Sequence, residues 1–292
     1  MSRWLVTGAA GMLGRDVVTA LEAAPGQTVD ARTRAQLDLL DEGALRAAVA
    51  EADVVVNCAA WTDVDGAEAA EEAARRVNGD AVEVLARECA RRGARLLQPS
   101  TDYVFSGEAT QPYAEDAPPS PVNAYGRTKL VGERAVLELH PEAGYVVRTA
   151  WLYATHGRSF VTTMARLAEE RPTVDVVDDQ VGAPTWTRDL ADALLAVGLA
   201  EQAPPGVYHA TSSGQTSWYG LARATFELLG HDPERVRPTS SAVLQRVARR
   251  PGYSVLGSGR WRSASLPPVR DWFEALQSWK NAYDTPRARS SR

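Results

Sequence analysis

The sequence predicts an α/β fold, a doubly wound parallel sheet of the Rossmann type with a smaller mixed α/β cap. Three observations lead to this prediction: short β-branched runs alternate with helical patterns, a glycine-rich turn follows the first run, and Pro and Trp become denser after residue 148. Repeated strand–helix alternation gives a parallel sheet with helices on both faces. We place the sheet domain at residues 1–148 and most of the cap at 149–292. The boundary is discontinuous, because a strand and a helix within residues 172–200 are expected to return to the sheet.

Each element follows from its local pattern. Strands are predicted at residues 3–6, 28–31, 54–56, 95–97 and 145–147, and helices at 12–23, 43–51, 67–92 and 124–139. The strand at 54–56 is continuously apolar, as expected where a sheet is covered on both faces. Gly93 and Pro141 mark the ends of the last two helices. For the cap we predict helices at 159–171 and 188–199, a strand at 173–177 and a disordered tail at 285–292.

Composition excludes several classes of protein. With 292 residues and a net charge of −5, the chain can bury a sizeable core and is too acidic for general nucleic-acid binding. No apolar run approaches the roughly 20 residues of a membrane span, and the N-terminus lacks a signal-peptide pattern. Cys58 and Cys89 form neither a disulfide framework nor a metal-binding spacing, and Cys58 suits a small core residue. We therefore expect a cytoplasmic protein that does not bind membranes.

The turn after the first strand has the pattern of a dinucleotide-binding loop. In WLVTGAAGMLGRDVV, Gly8, Gly11 and Gly14 are spaced G-x-x-G-x-x-G between a strand and a helix. The first glycine permits a tight turn, the second lets the backbone approach a pyrophosphate, and the third lets the helix pack closely. The alternative is a glycine turn that binds no ligand. The position directly after the first strand favours a dinucleotide with its phosphates at the helix N-terminus.

Charged residues near the end of the second strand bear on the choice of cofactor. Asp30 could accept a hydrogen bond from a ribose 2′-hydroxyl, which favours NAD, whereas Arg32 or Arg34 could pair with a 2′-phosphate, which favours NADP. The arginines favour NADPH, with NADH also tolerated. In the following QLDLLD, Asp38 either reaches the adenine edge or caps a helix, and we assign it and Leu39 to cofactor binding.

Two groups of polar residues indicate a reaction centre. Ser100, Thr101 and Asp102 end the fourth strand, at the edge where such sheets bind ligands, although alone they are equally consistent with a local turn. On the next helix, Tyr125 and Lys129 are four residues apart and share one face. Reducing a ketone needs hydride on carbon and a proton on oxygen, and a nearby ammonium lowers the pKa of a tyrosine hydroxyl. We predict Tyr125 as proton donor, Lys129 as its cation and Thr101 as a second donor to the alkoxide.

The rarity of lysine supports a special role for Lys129. The chain contains 30 Arg but two Lys, Lys129 and Lys280. Since arginine fills almost every general cationic position, a lysine suggests a task that the larger, forked guanidinium does not perform.

The motifs together resemble a known family. TGAAGMLG, STDYVF, YGRTK and RTAWLY are similar to the extended short-chain dehydrogenase/reductase superfamily, and DDQVGAPT and RRPGYSVL narrow the resemblance to the dTDP-4-dehydrorhamnose reductases. The motifs run in the expected order from Gly8 to Leu256, so the resemblance covers nearly the whole chain. It implies reduction, with NADPH or NADH, of the 4-keto group of dTDP-4-dehydrorhamnose to dTDP-L-rhamnose, or of a closely related dTDP-4-keto-6-deoxysugar. The cap would then bind the sugar nucleotide.

The resemblance also implies roles for individual residues. The cofactor would be bound by Gly8, Gly11, Met12 and Leu13 around the pyrophosphate, by Ala60, Trp61 and Thr62 after the third strand, and by Tyr125 and Lys129 near the nicotinamide. The substrate would be bound by Thr101, Asp102 and Trp151. The ring of Trp151 would pack on the apolar face of the deoxysugar, and the alternative for this residue is a core tryptophan.

Some members of the family bind magnesium through clustered glutamates and dimerise. Near the corresponding places this chain has Arg15–Asp16 and Arg188–Asp189, which argues against Mg²⁺. We therefore predict no metal ligands and expect a monomer or a homodimer.

Two other functions share many of these features. A nucleotide-sugar 4,6-dehydratase or 4-epimerase uses the same scaffold, but dehydration needs an Asp–Glu pair beside the threonine, and here Asp102 and Tyr103 follow Thr101. A non-catalytic regulatory subunit of the family would not need the catalytic residues. The presence of Thr101, Tyr125 and Lys129 together favours the reductase.

Overall fold

The computed structural model describes residues 1–285, and a six-stranded parallel sheet forms its centre. The strands are β1 (Ser2–Thr7), β2 (Gln27–Arg32), β3 (Val54–Asn57), β4 (Arg95–Thr101), β5 (Gly144–Thr149), β6 (Leu152–Tyr153), β7 (Val174–Val177), β8 (Val181–Gly182), β9 (Thr185–Trp186), β10 (Gly206–His209), β11 (Thr216–Ser217) and β12 (Val236–Thr239). The order in the central sheet is β10–β5–β4–β3–β1–β2. The α/β fold class with a parallel sheet is confirmed. Residues 286–292 of the predicted disordered tail lie outside the described residues.

Helices cover both faces of the central sheet and build much of the cap. They are α1 (Met12–Ala23), α2 (Glu42–Val49), α3 (Val64–Ala69), α4 (Glu71–Arg75), α5 (Ala81–Arg92), α6 (Ala124–Leu139), α7 (Phe160–Glu170), α8 (Thr187–Leu199), α9 (Trp218–Leu228), α10 (Ser241–Leu244), α11 (Gly259–Ser263) and α12 (Trp272–Asp284). A π-helical turn, Arg76–Asp80, joins α4 to α5. Between residues 1 and 285, no helix has the length and apolar character needed to cross a membrane.

Alternate residues of the sheet strands pack into two separate cores. Val54 and Val56 of β3 face one core, which is shared with α1 and with Leu190 and Leu194 of α8. Val55 faces the opposite core, which is built with α2, α5 and α6. Burial of aliphatic side chains therefore stabilises the sheet from both sides, as the continuously apolar β3 predicts.

One strand of the cap departs from the expected arrangement. A strand does form at Val174–Val177, but it pairs in parallel with β12 and does not join the central sheet. The sixth strand of that sheet is β10, which pairs with β5. The prediction that a strand near residue 172 returns to the sheet is therefore wrong, whereas α8 does pack on the sheet. A run of four residues does not specify its pairing partner, because pairing is a tertiary contact.

The helix predicted at residues 67–92 is interrupted twice. Ala70 leaves the helical conformation between α3 and α4, with φ −138° and ψ 43°. The π turn then separates α4 from α5 and carries the buried Asn78. Such turns are frequent at functional sites.

An aromatic cluster holds the cap together. Tyr153, Trp186 and Trp279 are buried together with side chains of α7 and α9. The indole N–H of Trp279 donates to the carbonyl oxygen of Ala154 (2.9 Å). These contacts fix α12 against the rest of the cap.

Gly198 allows α8 to lie close to the sheet, and its replacement tests this packing. A Cβ atom there would lie 2.2 Å from Cη2 of Trp4, whose buried indole donates to Gln27 (2.8 Å). Alanine normally stabilises a helix interior by roughly 0.5–1 kcal/mol, but overpacking should outweigh that gain. We expect Gly198→Ala to lower the free energy of unfolding by about 1–3 kcal/mol in chemical denaturation.

Gly43→Ala is the matched control. A Cβ at Gly43 would lie 3.4 Å from Oδ1 of Asp41, an ordinary contact on the exposed side of α2. Its free energy of unfolding should stay the same or rise by up to about 1 kcal/mol. Equal effects of the two substitutions would contradict the packing argument.

Candidate active site

A cleft of about 570 Å³ lies along the carboxyl edge of the central sheet, where the glycine turn, the loop after β3 and α6 face one another. Its lining includes Gly11, Met12, Ala60, Trp61, Tyr125 and Lys129. The predicted phosphate loop and the predicted reaction centre therefore face one cavity. Open parallel sheets bind their ligands at this edge.

The glycine turn is so tightly packed that two of its glycines leave no room for a side chain. Gly8 has φ +62°, and a Cβ there would lie 2.6 Å from the backbone nitrogen of Ala59. A Cβ on Gly14 would lie 2.3 Å from the carbonyl oxygen of Gly8, so α1 begins directly against the turn. The first turn of α1 contains no acidic residue, so its free N–H groups can receive an anion. The cleft is lined by all four predicted residues of this region: Gly8, Gly11, Met12 and Leu13.

The charged residues around the end of β2 differ in whether they reach the cleft. Asp30 and Arg32 pair with each other, with Nε of Arg32 2.6 Å from Oδ1 of Asp30, and neither lines the cleft. Arg34 does line it, and its guanidinium makes no hydrogen bond or ion pair with the described part of the chain. Of the two arginines considered for a 2′-phosphate, the structure thus brings Arg34 to the cavity and leaves Arg32 outside.

Asp38 and Leu39 also lie in the lining of the cleft. Oδ1 of Asp38 accepts a hydrogen bond from the N–H of Leu40 (3.0 Å). The carboxylate therefore stabilises its own turn as well as facing the cavity. Leu39 is buried with the core beneath α2, which fixes the position of this wall.

The loop after β3 supplies Ala60, Trp61 and Thr62 to the cleft, and a residue missed by the sequence analysis holds it in place. Oδ1 of Asn78 accepts from the N–H of Trp61 (2.9 Å), and its Nδ2 donates to the carbonyl of Trp61 (3.1 Å). The same Nδ2 donates to the hydroxyl of Thr128 on α6 (3.1 Å). An asparagine within a continuous helical pattern gives no sequence signal of a π turn.

Two of the three residues predicted to be catalytic, Tyr125 and Lys129, line one end of the cleft, and the third, Thr101, lies just behind the lining. Tyr125 and Lys129 face it from adjacent turns of α6. Lys129 is only 5% exposed, and its Nζ donates to the carbonyl oxygen of Pro99 in β4 (2.8 Å). The hydroxyl of Thr101 lies near that of Tyr125 and opposes the rise in its pKa. This arrangement can place a proton donor and a second hydrogen-bonding group on one carbonyl oxygen.

The electrostatics of Tyr125 differ from the expectation. Burial raises the pKa of its hydroxyl, the neighbouring Asp102 raises it further, and the hydrogen bond with Thr101 opposes both. The ammonium of Lys129 donates instead to Pro99, and the prediction that it lowers the pKa of Tyr125 is wrong. A hydroxyl with a raised pKa keeps its proton throughout the neutral range, which suits a proton donor.

The floor of the cleft is shielded from water. Burial lowers the pKa of Lys129 to about 8. Burial also raises the pKa of Cys58, which lines the cleft, to about 12. Cys58 is therefore an unreactive wall residue, and it is a free cysteine, as is the buried Cys89.

Asp102 is a buried carboxyl group linked to this centre. The hydroxyl of Thr101 donates to its Oδ1 (3.0 Å), and the residue is 2% exposed. Burial raises the pKa of Asp102 to about 7, although the hydroxyls of Ser254 and Thr101 favour its charged form. Its charge also raises the pKa of the Tyr125 hydroxyl.

Trp151 has a strained backbone and a stacked side chain. Its φ is +48°, which is unusual for a bulky residue. The indole stacks on that of Trp218 with ring centroids 3.5 Å apart and an interplanar angle of 5°. A Cβ on Gly182 would lie 2.5 Å from Cε2 of Trp151, so a glycine is required beside the ring. Strain of this kind is typical of functional sites. No sequence pattern indicated the role of Trp218.

The predicted substrate residues lie just behind the lining of the cleft. Thr101, Asp102 and Trp151 are not part of the lining, whereas their chain neighbours Ser100 and Leu152 are. The substrate assignments of these three residues stay predictions.

The RRPGYSVL motif is fastened to the sheet domain at the start of α6. Arg250 pairs with Asp65 of α3 through two contacts, of 2.5 and 2.8 Å, which holds the pKa of that carboxyl at about 2. Nδ2 of Asn123 donates to the carbonyl of Arg249 (2.8 Å), while its Oδ1 accepts from the N–H of Gly126 (2.8 Å) and caps α6. One asparagine therefore positions both the motif and the reactive helix.

The carboxylates considered in relation to magnesium have protein partners. Asp189 accepts from Nε of Arg270 (2.9 Å), and Asp16 accepts from the hydroxyl of Thr187. Within residues 1–285, no group of three or more His, Cys, Asp or Glu side chains is arranged to hold a metal ion.

The chain is similar to known proteins along almost its whole length. The model of the family described as "RmlD substrate binding domain" matches residues 2–285. A dTDP-4-dehydrorhamnose reductase of Streptomyces griseus is 56% identical over 279 residues, covering 94% of this chain and 91% of that protein. A dTDP-4-keto-6-deoxy-D-glucose reductase of Streptomyces niveus is 53% identical, covering 94% of this chain and 95% of that protein. A crystal structure of dTDP-4-dehydrorhamnose reductase from Bacillus anthracis in complex with NADP is 32% identical and has a TM-score of 0.88, covering 96% of this chain and 99% of that one.

The raised pKa of Asp102 predicts how stability depends on pH. The folded chain holds a proton on Asp102 up to about pH 7, whereas the unfolded chain releases it near 3.8. Folding therefore takes up a proton between these values, and stability falls as the pH rises through this window. Asp102→Asn removes this titrating group. The unfolding free energy of the variant should therefore rise relative to that of the wild type as the pH increases, by about 2–4 kcal/mol above neutrality. Thermal and chemical denaturation on either side of the window measures the change.

Asp175→Asn, on the exposed side of β7, is the control and should show no such trend. A stability difference between Asp102→Asn and wild type that is the same at acidic and alkaline pH would refute the assignment.

Proposed function

The chain belongs to the RmlD substrate binding domain family, and we propose that it reduces the 4-keto group of a dTDP-4-keto-6-deoxysugar with NADPH. The substrate that we favour is dTDP-4-dehydrorhamnose, which gives dTDP-L-rhamnose. The observation that carries the proposal is that Tyr125 and Lys129 line one end of a cleft that begins at a phosphate-binding turn, with the hydroxyl of Thr101 beside that of Tyr125. Relatives of 56% and 53% identity are named as reductases of such dTDP sugars.

The residues of the cleft fit a nicotinamide dinucleotide. Gly8 and Gly14 keep side chains away from the turn, so a diphosphate can approach the backbone. Arg34 lines the cavity without a protein partner in residues 1–285, and a 2′-phosphate would give it one. This supports NADPH over NADH, and the Bacillus anthracis relative was crystallised with NADP. When bound, the cofactor supplies the hydride for the carbonyl carbon.

Tyr125 delivers the proton to the carbonyl oxygen. Its raised pKa keeps it protonated at neutral pH. The alkoxide that forms on the sugar is a stronger base than a phenolate, so the proton transfer is favourable. The hydroxyl of Thr101 lies beside that of Tyr125 and donates to Oδ1 of Asp102 (3.0 Å); in the reaction this proton turns to the developing charge as a second hydrogen bond.

Lys129 supports the cofactor. An ammonium has three donors, and one of them is fixed on Pro99. The remaining donors can hold ribose hydroxyls of the cofactor.

The residue after Asp102 favours reduction over dehydration. A dehydratase would use an Asp–Glu pair beside the threonine, and here Tyr103 follows Asp102. The ring of Tyr103 lies edge-on to that of Tyr125, with centroids 6.0 Å apart, and burial raises its pKa. This position therefore supplies no second carboxylate.

The proposed reaction is tested by mixing the purified protein with NADPH and a panel of dTDP-4-keto-6-deoxysugars. We expect the near-ultraviolet absorbance of NADPH to fall in proportion to the 4-hydroxy sugar formed, with the product identified by NMR. The same panel assayed with NADH measures the cofactor preference. A sugar product formed without consumption of NADPH would refute the reductase in favour of an epimerase or a dehydratase.

Tyr125→Phe should abolish proton donation and leave cofactor binding intact. We expect kcat to fall by roughly 10²–10⁴-fold because the hydroxyl alone is removed. The Kd for NADPH, followed by nicotinamide fluorescence, should be unchanged. Tyr283→Phe on α12, whose ring is 43% exposed, is the control with normal turnover. Normal turnover in Tyr125→Phe would exclude Tyr125 as the acid.

The two lysines of the chain provide a matched pair of substitutions. Lys129→Arg places a larger guanidinium in a buried site that is fitted to Pro99, and we expect kcat/KM to fall by roughly 10²-fold through misplacement of the charge. Lys280→Arg changes an exposed ion pair with Asp284 and should have no effect. Full activity of Lys129→Arg would show that any cation suffices there.

A further inference from the structure

A loop of the cap lies directly on the phosphate-binding turn. It joins β6 to α7, and Nε2 of His156 lies 3.0 Å from the carbonyl oxygen of Met12. Gly157 has φ +72°, and a Cβ there would come within 3.0 Å of Cγ of Met12. The loop is therefore held close to the turn, and Arg158 is the next residue along the chain.

Arg158 is a cation that the proposed reaction does not yet use. It lines the same cleft as the glycine turn and makes no hydrogen bond or ion pair with any residue from 1 to 285. Among the described residues, the charged groups in the lining are three cations and one carboxylate: Arg34, Lys129, Arg158 and Asp38. The cavity wall thus has an excess of positive charge, as expected for an anionic ligand.

The glycine turn supplies hydrogen-bond donors but no cation for the pyrophosphate. The N–H groups at the start of α1 carry partial charges only. Arg15 on α1 donates to the carbonyl of Ala10 (3.0 Å) and does not line the cleft. A pyrophosphate at the turn carries two negative charges, and Arg158 is the cation that the cap loop places next to it.

We propose that Arg158 binds the pyrophosphate of the dinucleotide, so that the loop of His156, Gly157 and Arg158 clamps the cofactor from the cap side. A guanidinium presents paired N–H donors that match two phosphate oxygens. The inference rests on the dinucleotide part of the proposed function and is independent of the sugar substrate.

Arg158 and Arg34 recognise different parts of the cofactor in this arrangement. The pyrophosphate is common to NADPH and NADH, whereas the 2′-phosphate is present in NADPH alone. Loss of Arg158 therefore weakens both cofactors, and loss of Arg34 weakens NADPH selectively.

The test measures the Kd of NADPH and of NADH by nicotinamide fluorescence, with the full chain and without sugar nucleotide. Arg158→Gln should raise both Kd values by roughly 10-fold or more, as expected for a lost charge-assisted contact. Arg158→Lys, which keeps the charge but not the fork, should retain part of the affinity. Arg34→Gln should raise the Kd of NADPH alone. Arg166→Gln on α7, an exposed arginine paired with Glu170, is the matched control and should change neither.

Competition with fragments separates the two phosphate sites. ADP-ribose contains the pyrophosphate, whereas adenosine 2′-monophosphate contains only the 2′-phosphate. Arg158→Gln should weaken ADP-ribose and leave adenosine 2′-monophosphate unchanged. Thermal unfolding should confirm that Arg158→Gln is folded. If this variant then binds both cofactors with unaltered affinity, or loses affinity for NADPH alone, the proposal is overturned. A protein that binds NADPH through Arg158 but reduces no dTDP sugar would refute the proposed reaction and leave this inference standing.

Discussion

Three hydrogen bonds from one buried side chain set the geometry of the cleft. Asn78 binds both backbone groups of Trp61 and the hydroxyl of Thr128. Thr128 in turn donates to the carbonyl oxygen of Tyr125 (2.8 Å). The loop after β3 cannot shift against α6 without leaving buried polar groups unpaired, at a cost of about 1–3 kcal/mol each. The loop after β3 and Tyr125 are therefore placed relative to each other by the scaffold.

Closing the site to water lowers the stability of the folded chain. Burial moves the pKa values of Lys129 and Asp102 toward the neutral forms, so the folded protein is less stable than it would be with those groups in water. In the proposed reaction, the same exclusion of water would strengthen the hydrogen bond from Tyr125 to a developing alkoxide. Burial of aliphatic side chains in the two cores offsets this loss of stability. The same cores hold the edge of the sheet at which these groups lie.

The sequence predicted best the features that depend on local sterics. The glycine spacing at Gly8 follows from the close approach of backbone atoms, and the shared face of Tyr125 and Lys129 follows from helical period, so both could be read directly from the chain. The fold class and the family, which were predicted from such local motifs, are confirmed. Tertiary contacts were not accessible: nothing local distinguishes Arg34, which reaches the cavity, from Arg32, which pairs with Asp30. Nor does a four-residue strand specify the edge it joins.

The path of the chain between its two parts limits how the cleft can open. The chain enters the cap after β5, returns to the sheet for α8 and β10, and enters the cap again at β11. Trp261 of α11 then packs into the core of the sheet before α12 completes the cap. A cap attached at several crossings cannot swing about a single hinge. The loop at residues 156–158 is held on the glycine turn, and Trp151 and Trp218 are held by stacking. The connectivity and these contacts therefore hold the cap in place beside the cleft.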